Sequence, residues 1–199
     1  MIETKGADLF VEDLKYLCKQ HKIKLTFNRS RTVLIEGKIR SSGYFDSEGR
    51  ELKIGKKRSD WLQLLVHESC HVDQWLEGAE CWKWEDEMGN DIVDSWLLGK
   101  HYNYNKLRRA FRNVILLELD CERRALVKIA EYNLPINTTS YIQKANAYIL
   151  SYHRVLATRK WKAAIYDDTI LFNRMPEKLM SDRYYMKERF SKYFCAAGL

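Results

Sequence analysis

Residues 67–71 read His67-Glu68-Ser69-Cys70-His71, two histidines four apart with a glutamate beside the first. On a helix this spacing stacks both imidazoles on one face, where each can reach a single ion at about 2.0–2.1 Å, and turns Glu68 toward the ion's open side. The chemistry is that of a metal-bound water with a base next to it, so Glu68 is the candidate catalytic residue and His67 and His71 are candidate ligands. One Zn²⁺ per chain suits such donors, and it needs a third protein ligand. Leu107, Phe111, Val114, Cys121 and Ala125 form an apolar helical stripe in which position 118 is glutamate. A carboxylate turned to the core demands a cationic partner. Glu118 is therefore the expected third ligand, with His101 its rival; an ion pair with Arg108 or Arg112 is the alternative that requires no metal. Glu122, one turn on, is placed to accept a hydrogen bond from a ligand histidine and fix its tautomer. Tyr148, Tyr152 and His153 lie on a later predicted helix, and Tyr152 and His153 are the candidates to donate to an oxyanion, although tyrosine on such a helix commonly serves packing.

The elements that must hold these residues follow from periodicity. Phe10, Leu14, Leu17 and Cys18 recur at helical spacing, predicting a helix over about 7–20. Ile23, Leu25 and Phe27 alternate with polar residues, and Thr32 to Glu36 is β-branched and apolar, which predicts a hairpin across Asn28–Arg31. A second pair, Gly43–Phe45 and Glu51–Ile54, flanks the turn formers Asp46–Gly49. From about Ser59 the pattern is helical. Asp60 with Gln63 fits a capping box opening a helix from Trp61 to Trp75, and a long helix should run from about Tyr104 to Tyr132, stopping before Pro135. Thr138 or Thr139 is expected to cap a helix to about Arg159, and Pro176 to sit in the first turn of a last one.

Composition excludes other classes. With 46% hydrophobic residues and two prolines in 199 residues, the chain can bury a core and is not a disordered or collagen-like sequence. No window approaches the roughly 18 apolar residues of a membrane span, and the first residues lack the basic and apolar regions of a signal peptide, so no membrane partner is expected. Five cysteines without CxxC or disulfide-like spacing read as reduced thiols in a cytoplasmic protein. The net charge of +7 suits an anionic partner such as nucleic acid, although no nucleic-acid motif supports one. The charge is uneven: the Glu77–Asp94 stretch is acidic, whereas Arg154 to Lys192 is basic.

The chain resembles the gluzincin class of zinc metallopeptidases, in which HExxH on one helix is completed by a glutamate from a later helix. Glu118-Leu119-Asp120-Cys121-Glu122-Arg123-Arg124-Ala125 is similar to that later helix, with small Cys121 and Ala125 where ImmA/IrrE-type peptidases often place alanine. The order of helix, small sheet, HExxH helix and ligand helix matches the minimal zincin core, so the resemblance covers about residues 7–130. It implies an α+β fold, mainly helical and zincin-like, with a small antiparallel sheet near the N-terminus. The expectation is a single metallopeptidase domain over 1–199, with a minimal core at about 7–132 and a helical C-terminal extension at about 135–199. The implied activity is hydrolysis of a peptide or protein substrate, Glu68 taking a proton from water and passing it to the leaving amine. A strand edge at Glu51–Ile54 is expected to align the peptide.

Two features depart from the class. Asp73 stands where an apolar residue is common, and residues 72–117 separate the two ligand segments. That stretch carries Trp75, Trp82, Trp84 and Trp96, expected as a satellite core. The alternative function is a basic nucleic-acid-binding or protein-interaction module with a structural or degenerate metal site. A protease of the SprT-like type would join the two readings, but the zinc ribbon that would support it is missing. The intact Glu68 favours the enzyme, because a structural site has no use for an acid beside its histidines.

Overall fold

The computed structural model describes residues 5–35, 39–83, 89–161 and 169–187. These form α1 (Lys5–Gln20), β1 (Lys24–Asn28), β2 (Val33–Ile35), β3 (Ile39–Ser41), β4 (Gly43–Asp46), β5 (Glu51–Gly55) and α2 (Trp61–Glu77). Then follow α3 (Asn90–Leu97), α4 (Tyr104–Glu131), α5 (Thr138–Thr158) and the short α6 (Thr169–Phe172) and α7 (Asp182–Tyr185). The fold is α+β and mainly helical, with its small sheet near the N-terminus, as the sequence leads one to expect. The described residues gather into two compact units: residues 1–77 with 124–136, and residues 78–123 with 137–199. The division falls inside α4.

In the first unit the sheet is mixed, in the order β1-β5-β4. The expected hairpin between the first two strands does not form. β1 pairs in parallel with β5, Lys24 opposite Glu51 and Phe27 opposite Ile54, while β2 pairs antiparallel with β3 as a separate ribbon. The chain leaving β1 keeps its partner: Asn28 and Ser30 carbonyls accept from Lys56 and Lys57 amides at 2.9 and 3.0 Å. The second expected hairpin is present, with Phe45 opposite Leu52. Its turn is held by Asp46, whose Oδ1 accepts from the amides of Glu48 and Gly49, both at 3.0 Å. Leu52 and Ile54 are fully buried because β5 is central and α2 packs across β5 and β4. The expectation that Glu51–Ile54 forms an open edge is therefore overturned; among the described residues β1 and β4 are the edges of this sheet.

α2 begins at Trp61 after Asp60, whose carboxylate takes both Nε (2.7 Å) and Nη2 (2.8 Å) of Arg58. It ends at Gly78, where φ of +58° suits a residue without Cβ. Asp73, the unusual acid, pairs with Lys128 at 2.6 Å, and the same ammonium reaches Ser69 Oγ at 2.9 Å. Arg124 donates to Glu77 at 2.7 Å. These contacts dock the last turns of α4 on α2. α1 closes the unit through Phe10, whose ring meets Tyr132 edge-on at 5.3 Å, and Tyr132 donates to Asp13 at 2.9 Å. Burial and the neighbouring Asp13 raise the Tyr132 hydroxyl to about 12, so it remains a donor. Cys18, buried here, is raised to about 11 by desolvation and is a packing thiol.

The second unit is helical. Phe111, Val114, Ile115 and Leu119 of α4 pack with Ala147, Ile149, Leu150 and Val155 of α5. α5 is capped by Asn137, one residue before the expected threonine, its side chain accepting from Ser140 N at 2.8 Å. It ends at Arg159, which adopts left-handed φ of 53° and donates through Nε to the Trp96 carbonyl at 2.8 Å. Pro176 opens no helix: its carbonyl accepts from buried Asn146 at 2.7 Å, and the last described helix starts after Ser181. The tryptophans do not gather into one satellite core. Trp75 packs on Phe45 in the first unit and Trp96 on Phe111 in the second, and Trp84 lies outside the described residues. Among the described residues no helix is long and apolar enough to cross a membrane, and Cys18, Cys70, Cys81 and Cys121 are free thiols.

Gly6, in the first turns of α1, lies so close to the end of α4 that a Cβ would fall on the Tyr132 carbonyl oxygen. Glycine to alanine in a helix ordinarily stabilises by about 1 kcal/mol. Here Gly6→Ala should instead destabilise by about 2 kcal/mol through overpacking, read as a lower midpoint in urea.

Candidate metal centre

α2 carries His67 and His71 one turn apart, their rings perpendicular at 89° with centroids 4.9 Å apart. His71 Nδ1 sits 2.8 Å from Gln74 Oε1. An amide oxygen only accepts, so the proton resides on Nδ1 and Nε2 presents its lone pair. Gln74 is fully buried. It is a positioning residue that sequence reasoning passed over, although its i, i+3 relation to His71 marks it as a neighbour on one helical face. Glu68 lies between the histidines in sequence and is buried on the same helix.

α4 supplies Glu118, only 5% exposed. Tyr148 and Tyr152, one turn apart on α5, direct their hydroxyls at Glu118 Oε1 from 3.1 and 3.3 Å, and lie 2.8 Å from each other. One hydroxyl thus donates to the carboxylate while accepting from the other, and the pair orients Glu118. Trp161 packs edge-on against both rings. An ion pair of Glu118 with Arg108 or Arg112 is not what the structure shows, since both arginines are exposed and form no ion pair among the described residues.

His67, His71, Glu118 and Cys121 each offer one ligand atom, and these atoms all lie within 4.8 Å of one another, so the group could hold a metal ion. A tetrahedral ion with bonds of about 2.0–2.3 Å spaces its ligand atoms about 3.5 Å apart, which falls within this limit. Two imidazoles, a carboxylate and a thiol are all donors of the kind zinc takes.

Of the other expected residues, Glu122 is buried one turn beyond Glu118 and is not in the group. Tyr152 reaches Glu118 through its hydroxyl. His153 does not: one residue further round α5, it places Nε2 on the Tyr185 carbonyl. His101 is exposed in the connection before α4, and Asp120 accepts from Cys81 at 3.7 Å. Cys121 was legible in the sequence only as a small member of the apolar stripe; its i, i+3 spacing from Glu118 was the signal for more. No family model matches the sequence, and no curated protein or solved structure is significantly similar to it.

Isothermal titration with zinc should read these roles. Glu118→Ala should weaken binding strongly, Gln74→Ala by about 10–100-fold through the loosened His71, and His101→Ala not at all. Circular dichroism checks that each variant is folded.

Proposed function

We propose that the protein is a zinc-dependent metallopeptidase. The observation that carries this reading is a buried acid, Glu68, between two helical histidines whose ligand atoms cluster with those of Glu118 and Cys121. His67, His71 and Glu118 would hold the ion, and a bound zinc supplies Lewis acidity toward water and the scissile carbonyl. Glu68 takes the proton of the attacking water and delivers it to the departing amine. Its burial keeps that transfer away from bulk solvent. Tyr148 and Tyr152 are engaged on the Glu118 carboxylate, so their first role is to hold a ligand in place; a hydroxyl released from it would be the donor to an oxyanion. The substrate is a peptide laid in extended form along an edge of the sheet, and β4, beside α2, replaces β5 as the strand suited to pair with it.

Cys121 favours a second reading. A set of His67, His71, Glu118 and Cys121 is complete in the tetrahedral sense, and four protein ligands define a structural site, whereas a catalytic site keeps one position open.

Two variants separate the readings. Peptides released from a proteome-derived library by zinc-loaded protein are identified by mass spectrometry, and the best one becomes the assay. Glu68→Gln should retain zinc and melting temperature while the rate falls by about 10²–10⁴. Cys121→Ala should keep both zinc and hydrolysis. If Cys121→Ala loses the metal and its melting temperature drops, and no peptide is cleaved by the wild type, the site is structural.

A further inference from the structure

Away from the metal group, the second unit contains a half-open cleft of about 650 Å³ walled by α4, α5 and α7. Arg108, Arg109 and Arg112 of α4 and Arg183 of α7 line it, over an apolar floor that includes Ile115 and Leu156. All four arginines are exposed, and among the described residues none of them makes an ion pair. Three partly buried cations of the first unit are matched: Arg58 with Asp60, Arg124 with Glu77 and Lys128 with Asp73. The carboxylate that does line the cleft, Asp182, is compensated by Arg123 at 2.6 Å.

The arrangement works against the helix that bears it. Lys106, Arg108, Arg109 and Arg112 crowd the first turns of α4, where the macrodipole is positive, and no acid occurs in the first turn to offset them. Arg108 and Arg112 are also like charges at i, i+4. Such placement lowers the stability of the free protein and is relieved by an anion. Guanidinium forks match phosphate oxygens two at a time, and four in one cavity match the charge density of successive phosphates better than the spaced carboxylates of a peptide. The volume accommodates a nucleotide, with the floor as a surface for a base. His153, whose Nε2 is bonded to the Tyr185 carbonyl, ties α5 to α7 and fixes the opposite wall.

We propose that this cleft binds the phosphates of a nucleotide, either free or within a single strand of nucleic acid. The proposal does not depend on the metallopeptidase reading.

Fluorescence anisotropy of a labelled oligothymidylate with the full chain tests it. Binding is expected, with log affinity falling against log salt at a slope of about −2 to −3 for three to four phosphate contacts. Arg108→Ala with Arg112→Ala should cost about tenfold or more. Lys15→Ala with Lys19→Ala, which removes the same charge from the exposed face of α1, should cost nothing. Melting curves confirm that both variants are folded. Direct titration with a nucleoside triphosphate separates the two sources: binding comparable to that of the oligonucleotide assigns a free nucleotide, and much weaker binding assigns the strand. The proposal is overturned if neither probe binds, if a polyglutamate peptide competes as well as the oligonucleotide, or if the α1 variant loses as much affinity as the cleft variant.

Discussion

The Lys128 ammonium is the point on which the first unit is assembled. It meets Asp73 at 2.6 Å, Ser69 Oγ at 2.9 Å and the Ser69 carbonyl at 3.3 Å, and it lies 6.0 Å from the centre of the Phe10 ring. Those four contacts join α4, α2 and α1. A half-buried ammonium is costly unless its charge and its donors are satisfied, and only one register of α4 on α2 does that. A slip of one residue would turn every α4 side chain by about 100° and shift it about 1.5 Å along the axis. The ion pair thereby fixes the register of the last turns of α4 on α2. It also gives Asp73, an acid on an otherwise largely apolar face of α2, its partner.

Much of the site was legible because its signals are local. Two histidines at i, i+4 need only a helix to become neighbours, and Glu118 stood out as a charge within an apolar stripe. The rest depended on contacts that no local pattern carries. Gln74 looks like any polar residue until His71 is seen to need an acceptor for Nδ1. Cys121 is equally at home as a small core residue and as a donor. Tyr152 and His153 are adjacent in sequence, so both seemed available to one site, but adjacent residues on a helix diverge by about 100°, and α5 sends His153 to the Tyr185 carbonyl instead.

The fold shows the same limit. The four long helix spans came from a period of 3.6 and agree with the observed elements to within a few residues, whereas the helix expected at Pro176 is absent. Strand partners did not, since alternation says which face is buried and nothing about the neighbour. The turn-like Asn28–Arg31 suggested a local return, whereas β1 finds its partner, β5, beyond three further strands. β5 is flanked on both sides, which its short sequence Glu51-Leu52-Lys53-Ile54-Gly55 does not announce.

The first unit is built from two stretches of chain, with residues 78–123 inserted between them. Phe10 of α1 rests on Tyr132, and Gly6 rests on the carbonyl of that same residue. During synthesis the first 77 residues therefore emerge well before the helical turns that cover them, and Phe10 of α1 lacks its Tyr132 cover until the end of α4 is made. The contacts that complete this unit span more than a hundred residues of sequence, the kind of closure that is slow to form and that leaves a nascent chain dependent on protection from association in the interval.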